Sequence, residues 1–493
     1  MNELVIDTQK RSLPALWKCV LVVIVLYILQ GVTLGIIDVI PLYLVSYNLT
    51  WKQQGILSIA MYPFSVKLLW APLIDVLYIR QLGRRRTWLL PVQLCLGIIF
   101  IVLSFHLQRL LIQLRIVTLT IVFFCIVLLI ATQDICVDGW ALTLFSSSDV
   151  IWQSISQMIG QPFGAFLGSS VLLTFESGNM TNRLIREPFG IAIQSYGLFT
   201  LSQFVRFWGV MFLITTLSVT ILFRKHYQVA EITDECQNRS KLNLWETYIY
   251  VARLFKKKSF LRLLYLIMGP HFGYAAMSAM TYVTLINQNV VKRETLGLIT
   301  MPLIIVKVTV PLLVSQTKRP LIVFSYFHMP RLVLSFCIAV FIFFASYLHS
   351  YPILFYVILI FLLALSDALI YFQGSARGAF FACISDKRIG STYYTLLASL
   401  NNLGVFISTT LVLYTANWLP KKHAYYIEVG ICLVLGCLWL GTSWKLMYRL
   451  QELPVERWHI MRRKQKTSEE YQQHCMEGSD HEKIESIVSA GET

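Results

Sequence analysis

Charged residues are scarce in this chain. Only 14% of its 493 residues are Asp, Glu, Lys or Arg, whereas 56% are hydrophobic. A soluble protein carries about 25% charged residues. Long apolar stretches recur from residue 18 to residue 446, so the chain is predicted to be a helical protein that crosses a membrane many times. The first stretch is long enough to span and is expected to act as an uncleaved signal anchor.

Chemical motifs are also few. The sequence has no metal-ligand cluster, no glycine-rich phosphate loop and no nucleophile triad, which argues against an enzyme and predicts neither a cofactor nor a metal. The ten cysteines stand singly, most of them in apolar stretches, so no disulfide framework is expected. The formal net charge is +16, but no basic, aromatic-interleaved domain lies outside the apolar stretches, and nucleic-acid binding is not expected.

The apolar stretches predict an all-α membrane protein with twelve transmembrane helices, at about 20 residues per crossing. Numbered as segments one to twelve, they cover residues 18–45, 53–79, 87–106, 116–145, 150–176, 204–223, 260–288, 295–316, 330–348, 353–378, 389–416 and 424–446. Lysine and arginine collect in alternate connections and in both terminal tails. This asymmetry predicts that both termini lie in the cytosol.

Glycosylation motifs agree with this orientation. Asn48 and Asn179 begin Asn-x-Thr triplets in connections predicted to lie outside the cytosol. Asn179 lies in the longer connection and is the better acceptor, so the chain is predicted to be a glycoprotein. Asn238 also begins such a triplet, but on the cytosolic side, where it should stay unmodified.

The two halves of the chain resemble each other. The matching positions are 61–67 (MYPFSVK) with 301–307 (MPLIIVK), Gly139 with Gly378, and Gly164 with Gly404. Their nearly constant offset indicates duplication of a six-helix unit, which predicts the major facilitator fold of two six-helix halves. The predicted domains are a cytosolic tail (1–17), an N-terminal half (18–223), a cytosolic linker with an amphipathic helix (224–259), a C-terminal half (260–446) and a cytosolic, largely disordered tail (447–493).

Two lysines lie inside the apolar segments. Lys67 is near the middle of segment two, and Lys307 occupies the matching position of segment eight. An ionisable residue within a membrane helix is costly and marks a functional site by default. Two cations facing one cavity would suit an anionic substrate such as a phosphorylated one. Alternatively, each lysine pairs with an internal carboxylate and has no role in binding.

Acidic residues in segment four lie close to a basic turn. Asp134 and Asp138 are four residues apart and share one helix face. Together with the turn after segment two they predict a cytosolic gate. The gating residues are predicted to be Asp75, Arg84, Arg85, Arg86, Asp134 and Asp138. A proton relay is the alternative, for which Asp38 and Asp367 are further candidates.

Other polar residues are predicted to line the cavity. With the two lysines, the predicted substrate-binding residues are Lys67, Lys307, Trp70, Gln133, His271, Gln157, Gln161, Asn401 and Asn402. Arg377 is interpreted as an anchor at the membrane interface. The small-residue pairs Gly31–Gly35 and Gly160–Gly164 are interpreted as sites of close helix packing.

At these residues the chain resembles the acetyl-coenzyme A transporter family of the major facilitator superfamily. The similar stretches are LQGVTLG (29–35), KLLWAPLIDVLYIRQLGRRRTWLLPVQ (67–93), QDICVDGWALT (133–143), FWGVMFLITT (207–216) and SDKRIGSTYYTLLASLNNLG (385–404). The matched motif positions include Lys67, Trp70, Asp75, Gln133, Asp134, Asp138 and Trp140. The short connection at 416–422 departs from the family's longer, Cys-bearing loop, which points to a diverged paralogue.

This resemblance implies a carrier that moves acetyl-CoA across the endoplasmic reticulum membrane, with CoA as an exchange partner. The implied partners are these two anions, the lipid bilayer and, as an option, a second copy of the chain. The WAPLID and GRRR elements also resemble bacterial muropeptide permeases. A proton-coupled symporter, a carrier of another organic anion and a non-transporting membrane scaffold are therefore kept as alternatives.

Overall fold

The structure is a computed structural model of the chain. It describes residues 16–79, 82, 85–144, 151–222, 244–314, 319–348, 350–385, 390–454 and 457–458. Among these residues the chain forms helices and no strand. Residues 1–15 of the predicted tail (1–17), residues 224–243 of the predicted linker (224–259) and residues 459–493 lie outside the described residues.

The helices follow the predicted segments. In segment order they are Leu16–Val45; Trp51–Ser58, Ile59–Met61, Pro63–Val66, Lys67–Leu69 and Ala71–Val76; Arg86–Ile112; Ile116–Leu144; Ile151–Phe166, Leu167–Val171 and Leu172–Phe175; Leu201–Leu222; Lys258–Met268, Gly269–Gly273 and Ala275–Asn287; Arg293–Thr300 and Leu303–Val314; Pro320–Tyr326, His328–Phe343 and Ala345–Leu348; Pro352–Ile384; Gly390–Ala416; and Ala424–Gln451. Gly178–Thr181 and Asn182–Arg186 follow segment five, and Leu244–Leu254 precedes segment seven.

Ten of the twelve predicted segments contain a helical stretch long and apolar enough to cross a membrane. Segments two and seven are instead built from short helical pieces. Pro63, Pro72 and Pro270 each occupy the first or second position of a new piece. Proline lacks a backbone N–H and clashes with the preceding turn, so it ends one helix and starts the next.

Several helices are longer than predicted. Segment nine begins at Pro320 instead of residue 330, and segment ten continues to Ile384 instead of residue 378. Segment twelve continues to Gln451, and Trp458 is 2% exposed and contacts Phe380. The start of the predicted disordered tail is therefore packed on the C-terminal half. The misplaced boundary of segment nine also matters for the site, because it moves Arg331 into the helix interior.

Glycines set the closest helix contact of the N-terminal half. A Cβ on Gly164 of segment five would lie 2.8 Å from the backbone nitrogen of Val32 and still closer to the carbonyl of Ile28, both in segment one. In the C-terminal half a Cβ on Gly404 of segment eleven would lie 2.9 Å from the Cα of Met268 in segment seven. The matching glycines of the repeat thus make corresponding contacts.

The hydrophobic core is divided unequally between the two sides of the bundle. The side at which segment one begins is called the near side below, and the opposite side the far side. On the far side one cluster joins both halves, from Val39 and Leu42 to Val412 and Val429. On the near side each half has its own cluster, with Leu68 at the edge of the C-terminal one. The halves therefore share one hydrophobic cluster on the far side and have separate clusters on the near side, where Leu68 of segment two packs against the cluster of the C-terminal half.

The predicted amphipathic linker helix is Leu244–Leu254. Its Tyr248 hydroxyl donates a hydrogen bond of 2.6 Å to the backbone oxygen of Leu69, while Trp245 is 73% exposed. The helix therefore rests against segment two on the near side and presents an aromatic residue outward.

Candidate functional site

The interrupted backbone of segment two directs Lys67 into the bundle. Val66 has φ −107° and ψ 8°, and a short 3-10 turn follows at Lys67–Leu69 before the next piece starts at Ala71. Irregular backbone at this depth is tolerated in a membrane protein only where protein or an aqueous cavity surrounds it. Lys67 is accordingly buried, with 6% of its surface exposed.

Lys67 is paired with an acid of segment four. Its Nζ forms an ion pair with Asp134 Oδ2, and the Gln30 side chain donates a 2.8 Å hydrogen bond to Asp134 Oδ1. The lysine also lies over the Phe64 ring, 4.9 Å from its centre. Both charges are removed from solvent, so each depends on the other for compensation. This geometry matches the alternative in which Lys67 is an ion-pair partner; its predicted role as a substrate ligand stays a prediction.

One turn further along segment four lies Asp138. Its carboxylate accepts a hydrogen bond from the Tyr27 hydroxyl, and Gln153 donates a 3.2 Å hydrogen bond to its backbone oxygen. The Arg85 guanidinium lies directly against Gly139, where any Cβ would clash with it. Part of the basic turn thus meets segment four beside Asp138, as a near-side gate requires.

Two other predicted gating residues lie wholly or partly outside the described residues. Arg84 and the side chain of Asp75 are not among the described residues. Arg86 is 6% exposed and donates a 3.1 Å hydrogen bond to the backbone oxygen of Thr220 in segment six. It therefore ties segment three to segment six within the N-terminal half.

The C-terminal half repeats the lysine–aspartate arrangement. Lys307 of segment eight lies 3.5 Å from Asp367 of segment ten, and both are partly exposed, at 32% and 15% of their side chains. Lys307 is also within electrostatic range of Asp38 in segment one. Lysines at matching positions of segments two and eight thus pair with acids of segments four and ten.

One face of segment ten borders the space between the halves. Asp367, Tyr371, Gly374 and Gly378 recur at helical spacing on that face. Tyr371 is within electrostatic range of Asp38 across the space, and a Cβ on Gly374 would touch nothing within 4 Å. Asp38 is solvent-accessible although protein surrounds it. These residues therefore line an internal cavity.

Most of the remaining predicted binding residues make hydrogen bonds to other protein groups. Trp70 donates a 3.1 Å hydrogen bond to Thr132, and Gln133 donates one of 3.3 Å to the backbone oxygen of Leu26. His271 Nε2 lies 2.9 Å from Asn401 Oδ1, and Asn401 donates a 3.4 Å hydrogen bond to Asn402. The side chains of Gln157 and Gln161 are half-buried on segment five.

The predicted binding residues did not include two arginines of the C-terminal half. Arg331 of segment nine is 6% exposed, and its guanidinium lies 3.4 Å from the centre of the Tyr274 ring. Arg377 of segment ten is within electrostatic range of Arg331, Tyr274 and Tyr394, which places it inside the bundle instead of at the membrane interface. The sequence could have revealed Arg331 by its depth, because it lies three turns after the start of segment nine at Pro320. The predicted start at residue 330 hid this depth.

Polar contacts join the two halves on the far side. The Ser58 and Tyr62 hydroxyls lie 2.8 Å and 3.2 Å from Thr410 Oγ1. Further contacts are Ser170 with Thr300 at 2.9 Å, Gln54 with the backbone oxygen of Ala279 at 3.3 Å, and Arg293 with Glu176 at 3.2 Å. With the shared hydrophobic cluster, these contacts close the cavity on the far side.

The fold is that of known membrane carriers. The structure is similar to that of a D-xylose–proton symporter, with a TM-score of 0.57, 11% identity, and coverage of 91% of this chain and 100% of that one. It is also similar to a bacterial homologue of the human lysosomal transporter Spinster, solved in an inward-facing and occupied conformation, with a TM-score of 0.54, 12% identity and coverage of 90% and 98%. The chain thus shares the fold of these transporters.

The family follows from the sequence comparison. The model of the family described as acetyl-coenzyme A transporter 1 matches residues 19–327. The chain belongs to this family, which confirms the resemblance found in the sequence motifs. A Schizosaccharomyces pombe protein described as uncharacterised is 28% identical over 500 residues, covering 92% of this chain and 89% of that protein.

Proposed function

We propose that this chain carries acetyl-CoA, or a closely related phosphorylated anion, across the endoplasmic reticulum membrane in exchange for CoA. Family membership over residues 19–327 is the observation that carries the proposal. The cavity between the two halves, closed on the far side, supports it, because alternating access needs one site that can open to either side. Interior arginines supply the positive charge that an anion requires.

The proposed topology has twelve crossings. Segments two and seven are counted with the ten long helices, because their pieces together cover the predicted apolar stretches. The near side is proposed to be cytosolic, since it carries the basic turn and the linker helix. With the far side closed, the structure then corresponds to a state that faces the cytosol.

Glycosylation tests this orientation. Asn179 is exposed in the far-side connection after segment five, so expression in a eukaryotic host should add a glycan there and none at Asn238. The measurement is the mass lost on glycosidase treatment, which Asn179→Gln should abolish and Asn238→Gln should leave unchanged. A glycan that depends on Asn238 would reverse the orientation.

The far-side ion pair should act as part of a gate. Arg293 of segment eight pairs with Glu176 at the end of segment five and lies 3.9 Å from the centre of the Tyr43 ring. Removing this link favours the state open on the far side. Because the pair is partly exposed, we expect a shift of about 1 kcal/mol, or roughly fivefold in the equilibrium.

The measurement is far-side labelling of a cysteine introduced at Gly374, compared with the chain lacking that cysteine. Arg293→Gln should raise the labelling rate several-fold. Arg183→Gln is the matched control, since it removes an exposed arginine from the same side. Equal rates for both variants would contradict a gating role of Arg293.

Uptake by proteoliposomes tests the function. Labelled acetyl-CoA should enter vesicles that contain the purified chain, and CoA inside the vesicles should accelerate entry. A proton-coupled symporter remains the second candidate, because Asp38, Asp138 and Asp367 lie in the bundle interior. If the chain is such a symporter, a proton gradient should drive uptake, and CoA inside the vesicles should not change the rate of uptake. No uptake of acetyl-CoA under either condition would refute the proposed substrate.

A further inference from the structure

We propose that Arg331 and Arg377 form a subsite for phosphate groups of the transported anion. The inference deepens the proposed carrier function and rests on it for the identity of that anion. It concerns the C-terminal half, where segments nine and ten place two guanidinium groups beside the cavity. The lysines that the sequence singled out are not part of this subsite.

The charge balance of the interior distinguishes the arginines from the lysines. Lys67 is paired with Asp134, and Lys307 with Asp367. Among the described residues, none of the ion pairs involves Arg331 or Arg377. Asp367 is within electrostatic range of Arg331, but its ion pair is with Lys307.

Arg331 is held in place by neutral groups. It donates a 2.9 Å hydrogen bond through Nη1 to Gln373 Oε1, and its guanidinium lies over the Tyr274 ring. These contacts fix its orientation without neutralising its charge. Within the described part of the chain, Arg331 Nε and Gln373 Nε2 are buried donors without an acceptor. Buried donors normally have a partner, so this site has unused capacity for an acceptor-rich ligand.

Arg377 lies beside open space. It is one turn from Gln373 on segment ten and is half-buried. Gly374 has no neighbour within 4 Å of a Cβ position, and Gly378 has only the Tyr394 hydroxyl at 3.5 Å. Because Arg377 and Arg331 are within electrostatic range of each other, their mutual repulsion is relieved when an anion binds nearby.

The chemistry of guanidinium favours phosphate. Its planar fork of donors matches the oxygens of a phosphate group, and it remains charged when buried. Two such groups beside one cavity suit a ligand with several phosphate oxygens, as in the nucleotide portion of CoA. His271 is also within electrostatic range of both arginines and is held by Asn401, so it borders the same subsite.

Calorimetric binding to the purified full chain tests the inference with three probes: acetyl-CoA, inorganic pyrophosphate, and acetyl-pantetheine, which lacks phosphate. Arg377→Gln should weaken binding of acetyl-CoA and of pyrophosphate roughly ten- to a hundredfold, the effect of one lost charged hydrogen bond. Binding of acetyl-pantetheine should not change. Arg331→Gln should weaken binding of the same two probes. If the Arg331→Gln variant does not fold, the result for Arg377→Gln alone decides whether the subsite exists.

Arg206→Gln is the matched control. Arg206 is an exposed arginine of segment six that lies over Phe105 in segment three, so its loss should leave all three affinities unchanged. Binding of acetyl-CoA that stays within twofold in Arg377→Gln overturns the subsite. So does a wild-type chain that binds neither phosphate probe. If pyrophosphate binds in an Arg377-dependent manner and acetyl-CoA does not bind, the subsite stands and the proposed function fails.

Discussion

Replacing Lys67 by glutamine should destabilise the protein strongly. The change leaves Asp134 as a buried acid without its cation, and Asp134 is only 2% exposed. Breaking a buried ion pair by removing one partner costs about 3–5 kcal/mol. The measurement is the melting temperature of the purified chain in detergent, followed together with its affinity for acetyl-CoA.

Two variants make this result specific. Lys67→Gln combined with Asp134→Asn should recover most of the stability, because no unpaired charge remains. Lys307→Gln should cost less, since the Lys307–Asp367 pair is 32% and 15% exposed and retains contact with water. If Lys67→Gln keeps its melting temperature and binds acetyl-CoA ten- to a hundredfold more weakly, the ligand interpretation of Lys67 is correct and the structural one is not.

The sequence predicted the helical segments well because apolar length is a local property. Each crossing needs about 20 apolar residues, and such a stretch can be recognised without knowing its neighbours. The internal repeat was visible for the same reason, from MYPFSVK at 61–67 and MPLIIVK at 301–307. Its spatial counterpart is the pair of lysine–aspartate contacts made by Lys67 and Lys307.

The pairing of charges could not be predicted, because it depends on how the helices are rotated and packed. Hydropathy flags Lys67 and Asp134 as costly, but it does not tell whether they face each other, a substrate or water. The breaks in segment two were signalled by Pro63 and Pro72, yet proline alone does not specify a 3-10 turn at Lys67. Arg331 was missed because segment nine was predicted to begin at residue 330, which placed this arginine at the end of the segment instead of three turns inside it.

The second large loss of stability is expected when Gly164 is replaced by leucine. Leucine at this position would drive its side chain into the backbone of segment one, where even a Cβ would come within 2.8 Å of the nitrogen of Val32. Backbone atoms of a packed helix cannot move aside as a flexible side chain can. Small residues at such crossings allow membrane helices to approach closely, so segments one and five would have to separate. Overpacking typically costs about 1–3 kcal/mol and occasionally more, and a clash with backbone places this variant at the upper end of that range.

Gly430→Leu is the matched control for Gly164→Leu. Gly430 lies inside segment twelve, is exposed, and has no neighbour within 4 Å of a Cβ position. Both variants add the same apolar atoms to a helix interior, so helix propensity changes equally. We expect Gly164→Leu to lower the melting temperature and the fraction of monodisperse protein, while Gly430→Leu matches the wild type. Equal stability of the two variants would show that segments one and five are not held at the distance that the structure gives them.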